Sequence, residues 1–176
     1  MKKLFSMVLC AMMALTLAGC GGSGDDSSTY TYSSELDIKN LDSADAEDGC
    51  SFTALHAIID GLMKPAKDGT TTYGIAKSSE VSEDGLTHTY KLRDAKWSNG
   101  DPVTANDFVY AWRRVADPAT ASDYQFFITT ACIANAEEVT TGEKPVEELG
   151  VEAADDKTLV VTLSSPCAIF DYLMAS

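Results

Sequence analysis

The strand and helix pattern of residues 86–118 constrains the fold more strongly than any other part of this sequence. Residues 86–92 alternate in polarity, and the larger side chains fall on one face, at Leu86, His88, Tyr90 and Leu92. This period of two predicts a half-buried strand. A tight turn at Asn99-Gly100-Asp101-Pro102 follows, and Thr104 with Asp107 then forms an approximate capping box. Apolar residues recur at helical spacing after it, at Phe108, Val109, Trp112 and Val115, so the segment predicts a strand, a turn and an amphipathic helix.

Similar patterns elsewhere predict a mixed α/β fold, with helices and antiparallel hairpins together. Val81 is expected to pair with 86–92 across a Glu-Asp-Gly turn, and 149–152 with 158–163 across Asp155-Asp156. Residues 30–36 are expected to form a first strand, and a helix capped by Ser51 is expected over the apolar positions that follow it. Further short helices are predicted at 122–130, 133–140 and 168–174.

Composition excludes two broad classes. The chain has 176 residues, of which 45% are hydrophobic, so it has the apolar content of a folded domain rather than of a disordered protein. The formal net charge is -14. A nucleic-acid-binding protein needs a basic surface that releases counterions from phosphates, and this balance argues against a nucleic-acid partner.

The N-terminus has the pattern of an export signal. Two lysines precede an apolar stretch over residues 4–17, which leads through Leu-Ala-Gly to Cys20. This resembles the lipobox of bacterial lipoproteins, in which the cysteine is lipidated and becomes the first residue of the mature protein. The resemblance implies a signal peptide at 1–19, a lipid anchor on Cys20 with a polar tether over 20–29, and a folded part at 30–176. A buried N-terminal helix is the alternative.

The remaining cysteines and histidines give no pattern of a metal site. Cys50, Cys132 and Cys167 are widely and irregularly spaced, and no CxxC occurs, so a zinc site is not expected. One disulfide among these three and three buried thiols both remain open. His88 is expected to be a core imidazole hydrogen-bonded to a neighbour, and His56 to lie at or near the surface.

A family resemblance is carried by the stretch LTHTYKLRDAKWSNGDPVTANDFVYAWRRVADP at 86–118. It resembles the oligopeptide- and dipeptide-binding proteins of bacterial ABC importers, family 5. Neighbouring segments agree in order and spacing: Asn40-Leu41-Asp42, Asp60-Gly61-Leu62, the run after Pro118, and the second hairpin. The resemblance implies a two-lobed fold of the periplasmic-binding-protein type II class. Only the N-terminal part of that fold is expected in this chain.

The resemblance also implies a function and a site. Such proteins close two lobes on an extended peptide and pass it to a permease with its ATPase subunits, at the outer face of the cytoplasmic membrane. Alignment with oligopeptide-binding relatives places Glu47, Gly49 and Tyr124 at peptide-contacting positions, flanked by Asp48 and Cys50. Glu47 as a solvated acid and Tyr124 as a packing residue are the alternatives. The residues that hold the peptide amino terminus are expected beyond Ser176.

Other functions remain as alternatives at this point. The same fold is used for nickel, haem or sugars, and a surface receptor or adhesin without transport is a further class. No GxSxG or HExxH motif and no assignable catalytic set occurs. We therefore expect no enzymatic activity, no cofactor and no resident metal.

Overall fold

A computed structural model describes residues 31–34 and 36–175 of the chain. The chain divides into two units, Met1–Glu35 and Leu36–Ser176. The expected signal peptide and tether lie outside the described residues. The strand expected at 30–36 is wrong for the part that is described, because residues 31–34 and 36 belong to no strand. All elements below belong to the second unit.

The strands form a two-stranded ribbon and a four-stranded antiparallel sheet. They are β1 (Met63–Pro65), β2 (Thr71–Tyr73), β3 (Ala76–Val81), β4 (Thr87–Leu92), β5 (Val151–Asp155) and β6 (Thr158–Thr162). The ribbon pairs β1 with β2, and the larger sheet has the order β3-β4-β6-β5. Both predicted hairpins are confirmed. At the sheet centre Tyr90 lies opposite Ser79 on one side and Leu159 on the other.

The two edge strands of this sheet each contain an irregularity. The β3 register shifts between Ala76 and Ser78, and the β5 register shifts between Ala153 and Asp155. The central pair of β4 and β6 runs without a shift from Thr87 to Lys91. A bulge bends its strand and increases the local twist, so both edges depart from a flat ladder.

Among the described residues two α-helices have ten and twelve residues, and three have four to six. They are α1 (Gly49–Ile58), α2 (Ala105–Ala116), α3 (Gln125–Thr130), α4 (Ala136–Thr140) and α5 (Phe170–Leu173). The predicted start of α2 is confirmed, since Thr104 is its N-cap and donates its N–H to Asp107 Oδ2 at 2.7 Å. Helix α2 packs on β5 and β6. No helix among the described residues is long and apolar enough to span a bilayer.

The core lies between the sheet and the helices. The face predicted for 86–92 is confirmed, because His88, Tyr90 and Leu92 are buried. They pack with residues from the second hairpin and from α5, which include Leu159, Val161 and Phe170. The mixed helix and sheet class predicted from the sequence is confirmed.

Gly74 lies at a close approach between two backbone segments. Its N–H donates to Leu62 O at 3.1 Å, and the next N–H, of Ile75, donates to Gly61 O at 2.9 Å. A Cβ atom added at Gly74 would lie well under 3.0 Å from Gly61 O, a backbone atom that cannot swing away. The absence of a side chain at this position is therefore what allows β3 to begin beside the segment that leads into β1.

His88 is buried between aromatic rings, as predicted, and its ring has the expected hydrogen bond to a neighbour, the Gly85 backbone. Its ring centroid lies 4.6 Å from that of Phe170 and 6.5 Å from that of Tyr90. The Nδ1 atom has no hydrogen-bond partner among the described residues. Burial lowers the pKa of His88, and the nearby Asp171 carboxylate and the Gly85 backbone oppose that effect only in part.

We expect the protein to lose stability as the pH falls below the ordinary histidine pKa of 6.5. The unfolded chain then gains a proton on residue 88 that the folded chain resists, so acid favours unfolding. Urea unfolding of the wild type and His88→Leu at about pH 7.5 and about pH 5.5 measures the effect. The drop in unfolding free energy should be smaller in the variant; equal drops would contradict the prediction.

Candidate functional site

The candidate site is built on an acidic loop, residues 41–48, that precedes α1. The loop contains four carboxylates, at Asp42, Asp45, Glu47 and Asp48. Internal hydrogen bonds fold it: Asp42 Oδ1 accepts from Ala44 N at 3.0 Å, and Asp42 O accepts from Ala46 N at 2.9 Å. Asn40 Nδ2 donates to Asp45 Oδ2 at 2.7 Å. These local hydrogen bonds contribute to the backbone conformation of the loop.

Helix α2 fixes the acidic loop through an ion pair. Arg114 donates from Nη1 to Asp42 Oδ1 at 2.6 Å and from Nη2 to Asp42 Oδ2 at 2.5 Å, a two-pronged contact. These hydrogen bonds lower the pKa of Asp42 from 3.8 to about 2. Each side chain keeps 35% of its surface exposed, so solvent weakens the pair, which we expect to stabilise the fold by about 1 kcal/mol.

We expect Asp42→Asn to lower the free energy of unfolding at neutral pH by about 1 kcal/mol. The wild type should lose this contribution as the pH falls from 3.8 towards about 2, because the unfolded state takes up the proton first. The variant should lose less stability over that interval. Urea unfolding at about pH 7 and about pH 3 measures both effects. Glu83→Gln, which changes an exposed acid, is the matched control; an identical profile for all three proteins would contradict the prediction.

The segment before α3 holds the other side of the acidic loop. Ser122 Oγ donates to Ala44 O at 2.6 Å, and Tyr124 OH donates to Ala46 O at 2.5 Å. Ala44 and Ala46 are buried. Ser122 Oγ also accepts from Tyr124 N at 3.1 Å, so one hydroxyl orders both segments. The helix predicted at 122–130 begins only at Gln125 because these residues bind the loop instead.

The start of α1 differs from the prediction. Asp48, not Ser51, is the N-cap, and its Oδ1 accepts from Cys50 N at 3.0 Å and Ser51 N at 2.9 Å. Ser51 is fully buried and its hydroxyl donates to Asp48 Oδ2 at 2.7 Å while accepting from Asn40 N at 3.2 Å. Ser51 therefore joins the two ends of the acidic loop.

The structure brings the three predicted site residues to one surface. Glu47 and Gly49 are exposed at the end of the acidic loop, and Tyr124 is half-buried beside it. Tyr124 OH donates to the backbone oxygen of Ala46, the residue before Glu47. Loss of hydration raises the pKa of Tyr124, and the Glu47 carboxylate raises it further. The Phe52 ring meets the Tyr124 ring edge-on, with centroids 6.0 Å apart.

The polar atoms of this surface have defined roles. The hydroxyl proton of Tyr124 is already donated to Ala46 O, so its oxygen is left as an acceptor. Gly49 is the first residue of α1, where a backbone N–H has no partner within the helix. A Cβ added at Gly49 would meet nothing within 4 Å. The surface thus offers an open backbone donor, an acceptor and the carboxylate of Glu47.

Sequence patterns did not identify the residues that hold this surface. Asp42 and Arg114 are separated by 72 positions and Ser122 and Ala44 by 78, and no local periodicity connects such pairs. Arg114 lies in the last turn of α2, where the local sequence indicates only a cation that suits the helix dipole. The described residues contain no group of three side chains suited to a metal ion. Cys132 and Cys167 are thiols.

Residues 70–176 match the family model described as bacterial extracellular solute-binding proteins, family 5 Middle. The chain belongs to this family. The dipeptide-binding protein of Lactococcus lactis subsp. cremoris is 34% identical to this chain, over 94% of the chain's length. Among solved structures, the substrate-binding domain of an oligopeptide ABC transporter from Bacillus anthracis is 44% identical over 82% of the chain, with a TM-score of 0.77. Listeria monocytogenes OppA bound to peptide is 44% identical over 77%, with a TM-score of 0.73.

These solved structures confirm the predicted fold class, that of OppA-type binding proteins. The chain spans less than a third of the length of each of these three relatives: 30% of the Lactococcus protein, 28% of the Bacillus structure and 26% of the Listeria structure. The family and these relatives are solute-binding proteins rather than enzymes.

Proposed function

We propose that the protein is the substrate-binding lipoprotein of an ABC importer, which captures extracellular oligopeptides and delivers them to a membrane permease. The observation that carries the proposal is the likeness, at 44% identity, to an OppA solved with peptide bound. The family membership of residues 70–176 supports it. In this proposal residues 30–176 are the first part of a two-lobed protein, and the peptide is bound between the lobes.

We propose that the surface of Glu47, Gly49 and Tyr124 is this chain's share of the peptide site. An extended peptide needs donors for its carbonyls and acceptors for its amides. The Gly49 N–H supplies a donor, and the Tyr124 oxygen, whose proton is held by Ala46 O, supplies an acceptor. The exposed Glu47 carboxylate suits a cationic group of the ligand. Backbone contacts of this kind explain affinity for many peptide sequences.

Native mass spectrometry tests the proposal on the encoded protein, by which we mean the full-length product of the gene, expressed without residues 1–20. We expect a series of short peptides to co-purify and to dissociate on mild denaturation. A single metal ion, haem or sugar in their place would replace the proposed ligand class. Protein that carries no ligand and binds none of a set of synthetic tri-, tetra- and pentapeptides would overturn it.

The proposed anchor has a separate test. In bacteria grown with a labelled fatty acid, the wild type should incorporate label and sediment with membranes, since two acyl chains hold a protein where one is marginal. Cys20→Ala should abolish both. Cys10→Ala, a cysteine within the same expected signal peptide, is the matched control and should leave both intact. Labelled Cys20→Ala protein would remove Cys20 as the lipid site.

A further inference from the structure

Two cysteines outside the candidate site lie near the same backbone carbonyl oxygen. Cys132 Sγ lies 3.6 Å from Thr130 O, and Cys167 Sγ lies 3.9 Å from the same atom. The two sulfurs therefore lie no farther apart than the sum of those distances. Both residues are half-buried thiols, so neither is sealed in the core. The sequence alone leaves the pairing of the three cysteines open, and this geometry places Cys132 and Cys167 near each other.

The backbone around the pair is held together on both sides. Cys132 O accepts from Ser164 N at 2.8 Å, and Ala134 N donates to Thr162 O at 2.8 Å. Between them Ile133 and Leu163 form an antiparallel bridge. Cys167 lies three residues after Ser164, and Phe170, 1% exposed, anchors the helix that comes next. A bond between the sulfurs would thus connect segments that are already neighbours, which keeps the required backbone movement small.

We propose that Cys132 and Cys167 form an intramolecular disulfide when the protein meets a disulfide oxidant outside the cytoplasm. The thiolate of one cysteine attacks a sulfur of the oxidant and expels one thiolate. The thiolate of the other then attacks the mixed disulfide and expels the second. The protein loses two protons and two electrons, and the oxidant becomes two thiols. The inference rests on the proposed function only for the compartment in which an oxidant is available.

The bond would close the chain from α4 through β6 into a covalent loop. A cross-link of this kind stabilises a fold mainly because it restricts the unfolded chain. It would fix the junction between β6 and α5 to the turn before α4, where hydrogen bonds and one isolated bridge now hold them. Cys50 lies on α1, outside this junction.

Peptide mapping tests the proposal on the encoded protein without residues 1–20. The protein is incubated with oxidised glutathione, its remaining thiols are blocked with N-ethylmaleimide, and it is digested with trypsin without reduction. The three cysteines fall in separate tryptic peptides, 40–67, 115–157 and the one that begins at Thr158. We expect the second and third to be cross-linked, lighter by two hydrogens than their sum, and Cys50 to carry the blocking group.

Variants distinguish the pair from accidental oxidation. Cys167→Ser should leave Cys132 blocked, whereas Cys50→Ser should leave the cross-link unchanged. A cross-link that includes Cys50, or three blocked cysteines in the oxidised wild type, would overturn the proposal. The map needs no bound ligand, so a cross-link in a protein that binds no peptide would refute the proposed function alone, and a peptide binder with three blocked thiols would refute this inference alone.

Discussion

Gly49→Val in the encoded protein should weaken binding of synthetic tri- and pentapeptides by about 10- to 100-fold. In the proposed site a ligand carbonyl approaches the Gly49 N–H, and a branched side chain there obstructs that approach. The fold itself has room, since an added Cβ at Gly49 meets nothing within 4 Å. Isothermal titration calorimetry gives the affinity, and the melting temperature should stay close to that of the wild type.

Ala57→Val is the matched control for this experiment. Ala57 is exposed on the same helix, about 12 Å along its axis from Gly49, and gains the same side chain. Its affinity for the peptides should equal that of the wild type. Equal affinities for Gly49→Val and the wild type would remove Gly49 from the proposed site while leaving peptide binding by the protein untouched.

Gly74→Ala should lower the free energy of unfolding by about 2 to 4 kcal/mol. The new methyl group would lie well under 3.0 Å from Gly61 O, so one backbone segment has to move. That movement weakens the hydrogen bonds from Gly74 N to Leu62 O and from Ile75 N to Gly61 O. The midpoint of urea unfolding measures the loss.

Gly49→Ala controls for the general effect of replacing glycine by alanine. It adds the same methyl group where no atom lies within 4 Å, at the first residue of a helix. We expect its unfolding midpoint to match or slightly exceed that of the wild type, because alanine has the higher helix propensity. If Gly74→Ala unfolds at the same urea concentration as Gly49→Ala, the close approach at Gly74 is not a constraint on the fold.

The parts of the fold that were predicted correctly are those specified by local signals. The alternation at 86–92 and 158–163 identified both hairpins, and Thr104 with Asp107 identified the start of α2. Aromatic and hydroxyl residues at 30–36 suggested a strand. Residues of high strand propensity form a strand only where a partner strand pairs with them.

The site was predictable in part only. Resemblance to a family supplied Glu47, Gly49 and Tyr124, and the structure brings them together. Ser51 was expected to cap α1 because serine is a good cap, but Asp48 lies three positions earlier and takes both N–H groups. The contacts of Arg114 with Asp42 and of Ser122 with Ala44 depend on how distant segments pack, which a single sequence does not encode locally.

The register shifts in the edge strands β3 and β5 affect whether copies of this protein can pair strand to strand at high concentration. If a strand of a neighbouring molecule paired with β3 or β5, its hydrogen-bond register would be interrupted at the irregular positions near Ser78 and Asp155. The same strands carry exposed acids, Glu80 and Glu152. Pairing that placed these carboxylates opposite their equivalents in the neighbouring molecule would be opposed by charge repulsion. Both features disfavour edge-to-edge pairing at β3 and β5.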